Sequence, residues 1–227
     1  LVIKLSKMPM DSDVPATKSL RQAMRELMKI KNYRDGVIAQ FFYVGAQVTC
    51  WTFIIQYGTR VFMAEGMDEK AAEILSQKFN IIAMVLFTIS RFICTWFLKY
   101  IQPGRLLSIL AIIAGTALLG VILFTDRNGL YCLVAVSACM SLMFPTIYGI
   151  ALRGVGENVK FAGAGLIMAI LGGSVFPLLQ AFIIDTNITA IGLPSTNLSF
   201  LIPLICFVVV ALYGHNAYVR YHIKNTI

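Results

Sequence analysis

Four polar and aromatic residues recur at helical spacing within one apolar stretch of the sequence. They are Gln40, Tyr43, Gln47 and Trp51, separated by 3, 4 and 4 positions, so an α-helix brings them onto one face. Amide and phenol groups form hydrogen bonds with several hydroxyls, and an indole ring lies well against the apolar face of a sugar. The stripe therefore favours binding of a neutral polyol. The alternative is that the same groups only join helices to one another.

A second cluster combines two aromatic rings and a hydroxyl with a proline. Phe144, Thr146 and Tyr148 surround Pro145 in another apolar stretch. Proline removes a backbone N–H donor and loosens a helix, and interrupted helices often carry the substrate sites of transporters. Phe144, Thr146 and Tyr148 are therefore further candidate substrate contacts, with a purely structural kink as the alternative.

Carboxylates and histidines are missing from the interiors of the apolar stretches. Every Asp and Glu, from Asp11 to Asp185, falls in a polar segment or near the end of an apolar one, and the two histidines are His215 and His222. No stretch offers a paired acid and base, a nucleophile beside a histidine, or a cluster of metal ligands. The sequence thus argues against an enzyme, a bound metal and an organic cofactor, and it predicts that any proton carrier lies elsewhere.

One cation, Arg91, lies inside an apolar stretch, eight residues before Lys99. At the rise of an α-helix this is about 12 Å inside the helix end. The side chain can extend to the membrane interface. It can also act as a charge that locks one state of a transporter by bonding helix ends or acids across the bundle.

Composition and the apolar stretches of the sequence predict that membrane-spanning helices carry these residues. Hydrophobic residues make up 58% of the 227 and charged residues 13%, far from the averages of soluble domains. Short connections predict antiparallel neighbours, and hence an all-α membrane protein built as a six-helix bundle. The stretches long enough to cross a bilayer are 37–57, 79–98, 106–124, 130–152, 162–184 and 198–218.

The distribution of positive charge predicts an orientation. Fourteen of the nineteen Lys and Arg residues lie on one side of the bundle if the N-terminal segment is cytoplasmic, so both ends are expected to be cytoplasmic. The net charge of +8 then reflects membrane topology, and binding to nucleic acid is not expected.

Two regions follow from this pattern. Residues 1–36 are predicted to be a cytoplasmic linker, and 37–227 the bundle with a short cytoplasmic tail. Within the linker, the pattern predicts an amphipathic, basic helix over 19–31, with Ser19 and Gln22 as a capping box. Such a helix either lies against anionic lipid or a neighbouring domain, or is a solvated linker.

The fifth stretch is rich in small residues, since it contains Gly163, Gly165, Gly172 and Gly173 together with Pro177. Small residues let membrane helices approach closely, and proline permits a bend. The sequence is compatible with a rocking element and with tight packing alone.

Several of these segments resemble the second half of bacterial transporters of the fucose and proton symporter group of the major facilitator superfamily. The likeness rests on 39–47 with Trp51, on Phe144-Pro145-Thr146-Ile147 and on Gly172-Gly173, and it extends over about 1–220. It implies two six-helix halves around a central cavity, of which this chain is the C-terminal half. An N-terminal six-helix half is then its partner.

The resemblance also implies a function. L-fucose or a related monosaccharide would be imported with protons by alternating access across the bacterial inner membrane. The proton is the coupling ion, and the carboxylates that carry it are expected in the N-terminal half. A carrier of glucose, galactose or an amino sugar, and a sugar-sensing membrane module without transport, are the alternatives.

A further likeness concerns the end of the second stretch and the turn that follows it. Ser90-Arg91-Phe92, Thr95-Trp96 and Pro103-Gly104-Arg105 resemble the family's second copy of its cytoplasmic loop motif. The candidate gating residues are therefore Arg91, Lys99 and Arg105. Met143-Phe144 stands where one fucose carrier of the family has a Gln-Tyr pair, which makes the expected cavity more apolar.

Overall fold

The computed structural model describes residues 20–186 and 192–226, which form α-helices joined by short turns. Among the described residues, one 3₁₀ turn, Gly156–Asn158, precedes α7, and another, Ala169–Leu171, lies between α7 and α8. The helices of the described residues are α1 (Leu20–Lys29), α2 (Lys31–Ala64), α3 (Glu69–Phe97), α4 (Pro103–Leu123), α5 (Arg127–Met140), α6 (Met143–Ala151), α7 (Val159–Met168), α8 (Gly172–Asp185), α9 (Ser195–Leu198) and α10 (Leu201–Thr226).

Within the described residues, six segments are long and apolar enough to cross a membrane, so the predicted six-helix bundle is confirmed. In chain order the spans are α2, α3, α4, α5 with α6, α7 with α8, and α9 with α10. We call them the first to the sixth span. Each predicted stretch falls on one span, and most spans are longer than hydropathy predicted.

The first span begins at Lys31, before the expected boundary between linker and bundle at 36 and 37. Its early polar residues bond to neighbouring helices. Asn32 donates to the Ile150 carbonyl at 2.7 Å, and the buried Tyr33 hydroxyl donates to the Ala162 carbonyl at 3.1 Å. These tertiary bonds stabilise the first turns of the helix. The turns are too polar to be predicted as membrane-spanning from hydropathy.

The α1 helix corresponds to the predicted amphipathic segment. Leu27 is buried and Met24 packs beside it, whereas Arg25 and Lys29 are exposed. The two-faced pattern therefore holds for these residues, whereas Met28, predicted on the apolar face, is exposed. Residues 1–19, which include Ser19 of the predicted capping box, lie outside the described residues. The side chain of Gln22, its predicted partner, is not described either. We call this end of the bundle the α1 end.

The spans pack in a three-plus-three arrangement. The first span contacts the fifth and sixth, and the fourth contacts the second and third. Exchanging first with fourth, second with fifth and third with sixth converts one set of contacts into the other. The first and fourth spans, which hold corresponding places, meet in the centre.

The core surrounds the first span, and the second span lies at its edge. Tyr43, Ile54 and Tyr57 of the first span are completely buried. The second span instead exposes large apolar side chains, among them Phe92 and Trp96. Apolar faces of this kind suit contact with lipid or with further membrane helices.

The fourth and fifth spans are both interrupted. The fourth breaks between Met140 and Met143, just before Pro145, whose missing N–H cannot bond the Ser141 carbonyl four residues earlier. In the fifth span the break precedes Gly172, where an added Cβ would lie 2.0 Å from the Phe41 carbonyl oxygen. Tight packing therefore explains Gly172, while a rocking role stays a prediction.

Candidate functional site

Tyr43 joins the first span to the break in the fourth. Its hydroxyl donates to the Met140 carbonyl at 2.8 Å, and its ring meets Phe144 edge to face with centroids 6.3 Å apart. Met140 is the last residue of α5, where the helix leaves carbonyls without partners of their own. Because Tyr43 is completely buried, it holds the break in place and is out of reach of a ligand in this conformation.

Trp51 connects three spans two turns further along. Its Nε1 donates to the Ser137 hydroxyl of the fourth span at 3.3 Å. Its ring lies edge to face on Phe87 of the second span, with centroids 5.0 Å apart. Trp51 and Phe87 are half-buried, so their rings are both positioned and partly accessible.

Gln47 lies between Tyr43 and Trp51 on the same face, at the midpoint of the 34-residue first span. It is half-buried. Within the described part of the chain its amide makes no hydrogen bond. Two donors and one acceptor are thus available at mid-membrane depth for a ligand.

Arg91 reaches the same place from the second span. Its Nε donates to the Ser141 carbonyl at 3.2 Å, and its guanidinium carbon lies 5.1 Å from the centre of the Phe87 ring, close enough for a cation–π contact. Arg91 therefore contacts the broken part of the fourth span, and both partners are uncharged.

These contacts define a mid-span cluster, which combines aromatic rings, neutral polar groups and one cation. Sequence reasoning missed three of its members, although Ser137, Ser141 and Pro145 share a spacing of four and Phe87 precedes Arg91 by four. The members of the mid-span cluster are Tyr43, Gln47, Trp51, Phe87, Arg91, Ser137, Ser141 and Phe144.

Three of the seven predicted substrate contacts lie apart from the accessible groups of the cluster. Gln40 is completely buried, and neither atom of its amide has a partner among the described residues. Thr146 donates to the Leu142 carbonyl at 2.7 Å and faces a separate hollow of about 200 Å³ beside Pro103. Tyr148 packs at the α1 end in the hydrophobic cluster that contains Leu27.

Helix geometry explains this separation. Thr146 follows Phe144 by two positions, about 200° around the helix, and Tyr148 is one turn further toward the α1 end. The accessible predicted contacts are therefore Gln47, Trp51 and Phe144, with Tyr43 behind them.

The three predicted gating residues are not brought together. Arg105 lies against the sixth span, with its guanidinium carbon 6.0 Å from the centre of the Tyr218 ring. Lys99 is exposed in the turn after the second span. Among the described contacts of these three residues, that of Arg91 with Ser141 reaches the mid-span cluster. A gating role for each of the three stays a prediction.

Ion pairs lie toward the two ends of the bundle. Asp35 and Arg220 join the first and sixth spans at 2.6 Å near the α1 end, and Glu65 and Arg127 join the first and fourth at 2.7 Å at the opposite end. Hydrogen bonds from Arg127 hold the pKa of Glu65 below its usual range. The cluster itself contains no carboxylate.

Comparisons with known proteins show several relatives of nearly the whole chain. It is 48% identical over 221 residues to the L-fucose-proton symporter of Haemophilus influenzae, covering 96% of this chain and 49% of the relative. The L-fucose-proton symporter of Escherichia coli is 32% identical over 220 residues, covering 94% and 47%. A glucose/galactose transporter of Brucella abortus is 34% identical over 179 residues, covering 79% and 40%. No family model matches the chain.

Solved structures give the same result for the fold. The chain superposes on the Escherichia coli Fucose:proton symporter FucP with a TM-score of 0.81 and 28% identity, covering 95% of this chain and 51% of that one. A second structure, of FucP as a major facilitator superfamily transporter in the outward conformation, gives a TM-score of 0.80. The predicted resemblance is confirmed, and the chain spans about half the length of these relatives.

Proposed function

Because this chain is a relative of the bacterial L-fucose–proton symporters and has the fold of one half of a major facilitator superfamily transporter, we propose that it is the C-terminal half of a sugar–proton symporter. The whole protein imports L-fucose or a related monosaccharide with protons by alternating access. The observation that carries this proposal is the 48% identity over 221 residues to a symporter of that name.

The mid-span cluster supplies the sugar contacts of this half. Gln47 forms hydrogen bonds with sugar hydroxyls, since its amide has no competing partner among the described residues. The sugar ring lies against Trp51 or Phe144, two aromatic residues that are half-buried. Tyr43 holds Phe144 in place through its bond to the Met140 carbonyl.

Proton coupling belongs to the other half. The cluster offers neutral groups and one arginine, and membrane proton relays use Asp, Glu or His. The N-terminal six-helix half therefore contributes the titrating carboxylates, and no cofactor beyond the proton is required. The two halves rock against each other about a sugar bound near the midplane of the bacterial inner membrane, with both ends of this chain in the cytoplasm.

A second candidate is a carrier of glucose or galactose. The 34% identity to a glucose/galactose transporter favours it, and the half-buried Phe144 offers an apolar ring without the hydroxyl of a tyrosine. A sugar sensor with the same fold would bind sugar without accumulating it.

Uptake by cells that express the complete transporter containing this chain tests the proposal. Labelled L-fucose, galactose and glucose are added in turn while the external pH is recorded. Accumulation of a sugar together with alkalinisation is expected, and the rates rank the three sugars. A well-expressed protein that accumulates none of them contradicts transport, and sugar binding without uptake favours the sensor.

A further inference from the structure

The break in the fourth span leaves backbone carbonyls that its own helix cannot satisfy. Pro145 has no N–H, so the carbonyl of Ser141 lacks its helical donor. Because Ser141 is completely buried, water does not replace that donor, and a neighbouring helix must supply one. Arg91 of the second span does so, with its Nε 3.2 Å from the Ser141 oxygen.

The adjacent carbonyl is satisfied from the other side. Met140 accepts the Tyr43 hydroxyl of the first span at 2.8 Å. Met140 and Ser141 are both completely buried. Two different spans thus bond two successive carbonyls at one break, which fixes the fourth span between them.

We infer that Arg91 is a positioning residue whose Nε–H replaces the hydrogen bond that Pro145 cannot donate, and which thereby sets Phe144 and Ser137 in place beside Tyr43 and Trp51. The inference rests on the proposed function only for its effect on sugar affinity. The bond itself belongs to the fold of this chain.

The surroundings of Arg91 favour a role as a donor over a role as a charge. Its partners are a carbonyl oxygen and the face of Phe87. The ion-paired carboxylates Asp35 and Glu65 lie toward the ends of the bundle. A lock based on charge would depend on an acid of the N-terminal half, whereas the backbone cap is complete within the described residues of this chain.

Two substitutions separate these roles, because glutamine and methionine both match the reach of the arginine Nε. In Arg91→Gln the Nε2 amide occupies the place of the Nε donor without the charge, and in Arg91→Met an apolar methyl occupies it. Both are made in the complete transporter that contains this chain. The cap predicts that Arg91→Met lowers the melting temperature by roughly 3 °C or more, and that Arg91→Gln lowers it by less than half as much.

Thiol labelling reports the break locally. Cys139 is the residue before Met140, and Cys132 lies two turns earlier on the same helix; both are half-buried and free. With N-ethylmaleimide and peptide mapping, Arg91→Met should raise the labelling rate of Cys139 about threefold or more through local opening. The rate for Cys132 should stay unchanged, and Arg91→Gln should leave both close to the parent.

Restoring the missing donor gives the sharpest test. Pro145→Ala provides an N–H four residues after Ser141, so the arginine cap becomes redundant. In that background Arg91→Met should lose most of its effect on melting temperature and on Cys139 labelling. Equal effects of Arg91→Met with and without Pro145 overturn the inference, as does an Arg91→Gln variant that is as damaged as Arg91→Met.

The comparison of Arg91→Gln with Arg91→Met tests the backbone cap even if Pro145→Ala does not fold. Sugar affinity is read separately and should fall about tenfold in Arg91→Met through displacement of Phe144. If melting and labelling follow the cap while affinity stays unchanged, the cap stands and the sugar site proposed above is wrong.

Discussion

The first span meets the fifth span and the fourth span in different ways. Against the fifth, contact is close and depends on small residues: a Cβ on Gly172 would approach the Phe41 carbonyl oxygen to 2.0 Å, and one on Gly45 would lie 2.1 Å from the Phe176 ring. Against the fourth, hydroxyl and indole groups donate to oxygen atoms, as Tyr43 and Trp51 do.

The difference lies in the groups that each contact offers to a ligand. At Gly172 the glycine contact brings backbone against backbone, and toward the α1 end the same two spans border an apolar hollow of about 420 Å³ lined by Tyr33, Phe41 and Met168 among others. The polar contact lies beside a broken helix and includes half-buried groups, among them Gln47 and Phe144. Packing thus accounts for the small residues of the fifth span, and substrate recognition is better served by the first and fourth.

The largest expected effect comes from filling the glycine contact. Gly172→Ala places a methyl group against a backbone oxygen that no side-chain rotation can move, so it should cost about 3 kcal/mol or more of stability. The matched control is Gly149→Ala, because an added Cβ there has nothing within 4 Å. The measurements are the yield and melting temperature of the complete transporter. Equal behaviour of the two variants would show that the first and fifth spans are not closely packed.

A smaller effect is expected from the polar contact. Tyr43→Phe keeps the ring against Phe144 but leaves the buried Met140 carbonyl without its donor, so stability should fall by about 1–3 kcal/mol. Sugar affinity should fall with it, because Phe144 loses its support. Chemical or thermal unfolding of the complete transporter measures the first effect. A fully stable Tyr43→Phe variant would mean that the phenol bond contributes little to the break.

The smallest effect on stability is expected from the exposed ion pair at the end of the contact between the first and fourth spans. Glu65 and Arg127 join the first and fourth spans at the surface, and the pKa of Glu65 is lowered by the hydrogen bonds from Arg127. A lowered folded-state pKa stabilises the fold above the unfolded pKa of about 4.3, and this stabilisation is lost as the pH falls through the folded-state pKa.

Melting temperatures of the parent and of Glu65→Gln, taken between about pH 3 and 7, test this assignment. The gap between the two should be small at neutral pH, because the pair is exposed, and it should close as the medium becomes acidic. A gap that stays constant across this range would show that the pair does not respond to the protonation of Glu65.

The fold was predictable because the bilayer imposes it. A hydrocarbon core requires long apolar helices, so the long apolar stretches of the sequence locate the six spans. The start of the first span at Lys31 was not predictable in the same way, because it depends on bonds from Asn32 and Tyr33 to the fourth and fifth spans. Hydropathy records no such partner.

The site was predictable only in part, for a related reason. Helical spacing places Gln40, Tyr43, Gln47 and Trp51 on one face, but the neighbouring spans decide which of them is enclosed. Phe87 and Ser137 enter the mid-span cluster through the register between spans. A local sequence pattern does not contain that register.

The most direct test of the proposed site compares two glutamines on one helix face. Gln47 is half-buried, whereas Gln40 is completely buried. Binding of L-fucose, galactose and glucose is measured by calorimetry on the complete transporter, on Gln47→Ala and on Gln40→Met. We expect Gln47→Ala to lose about tenfold in affinity for the transported sugar, and Gln40→Met to bind it like the parent. Unchanged affinity in Gln47→Ala, or equal losses in both variants, would contradict a sugar site at the mid-span cluster.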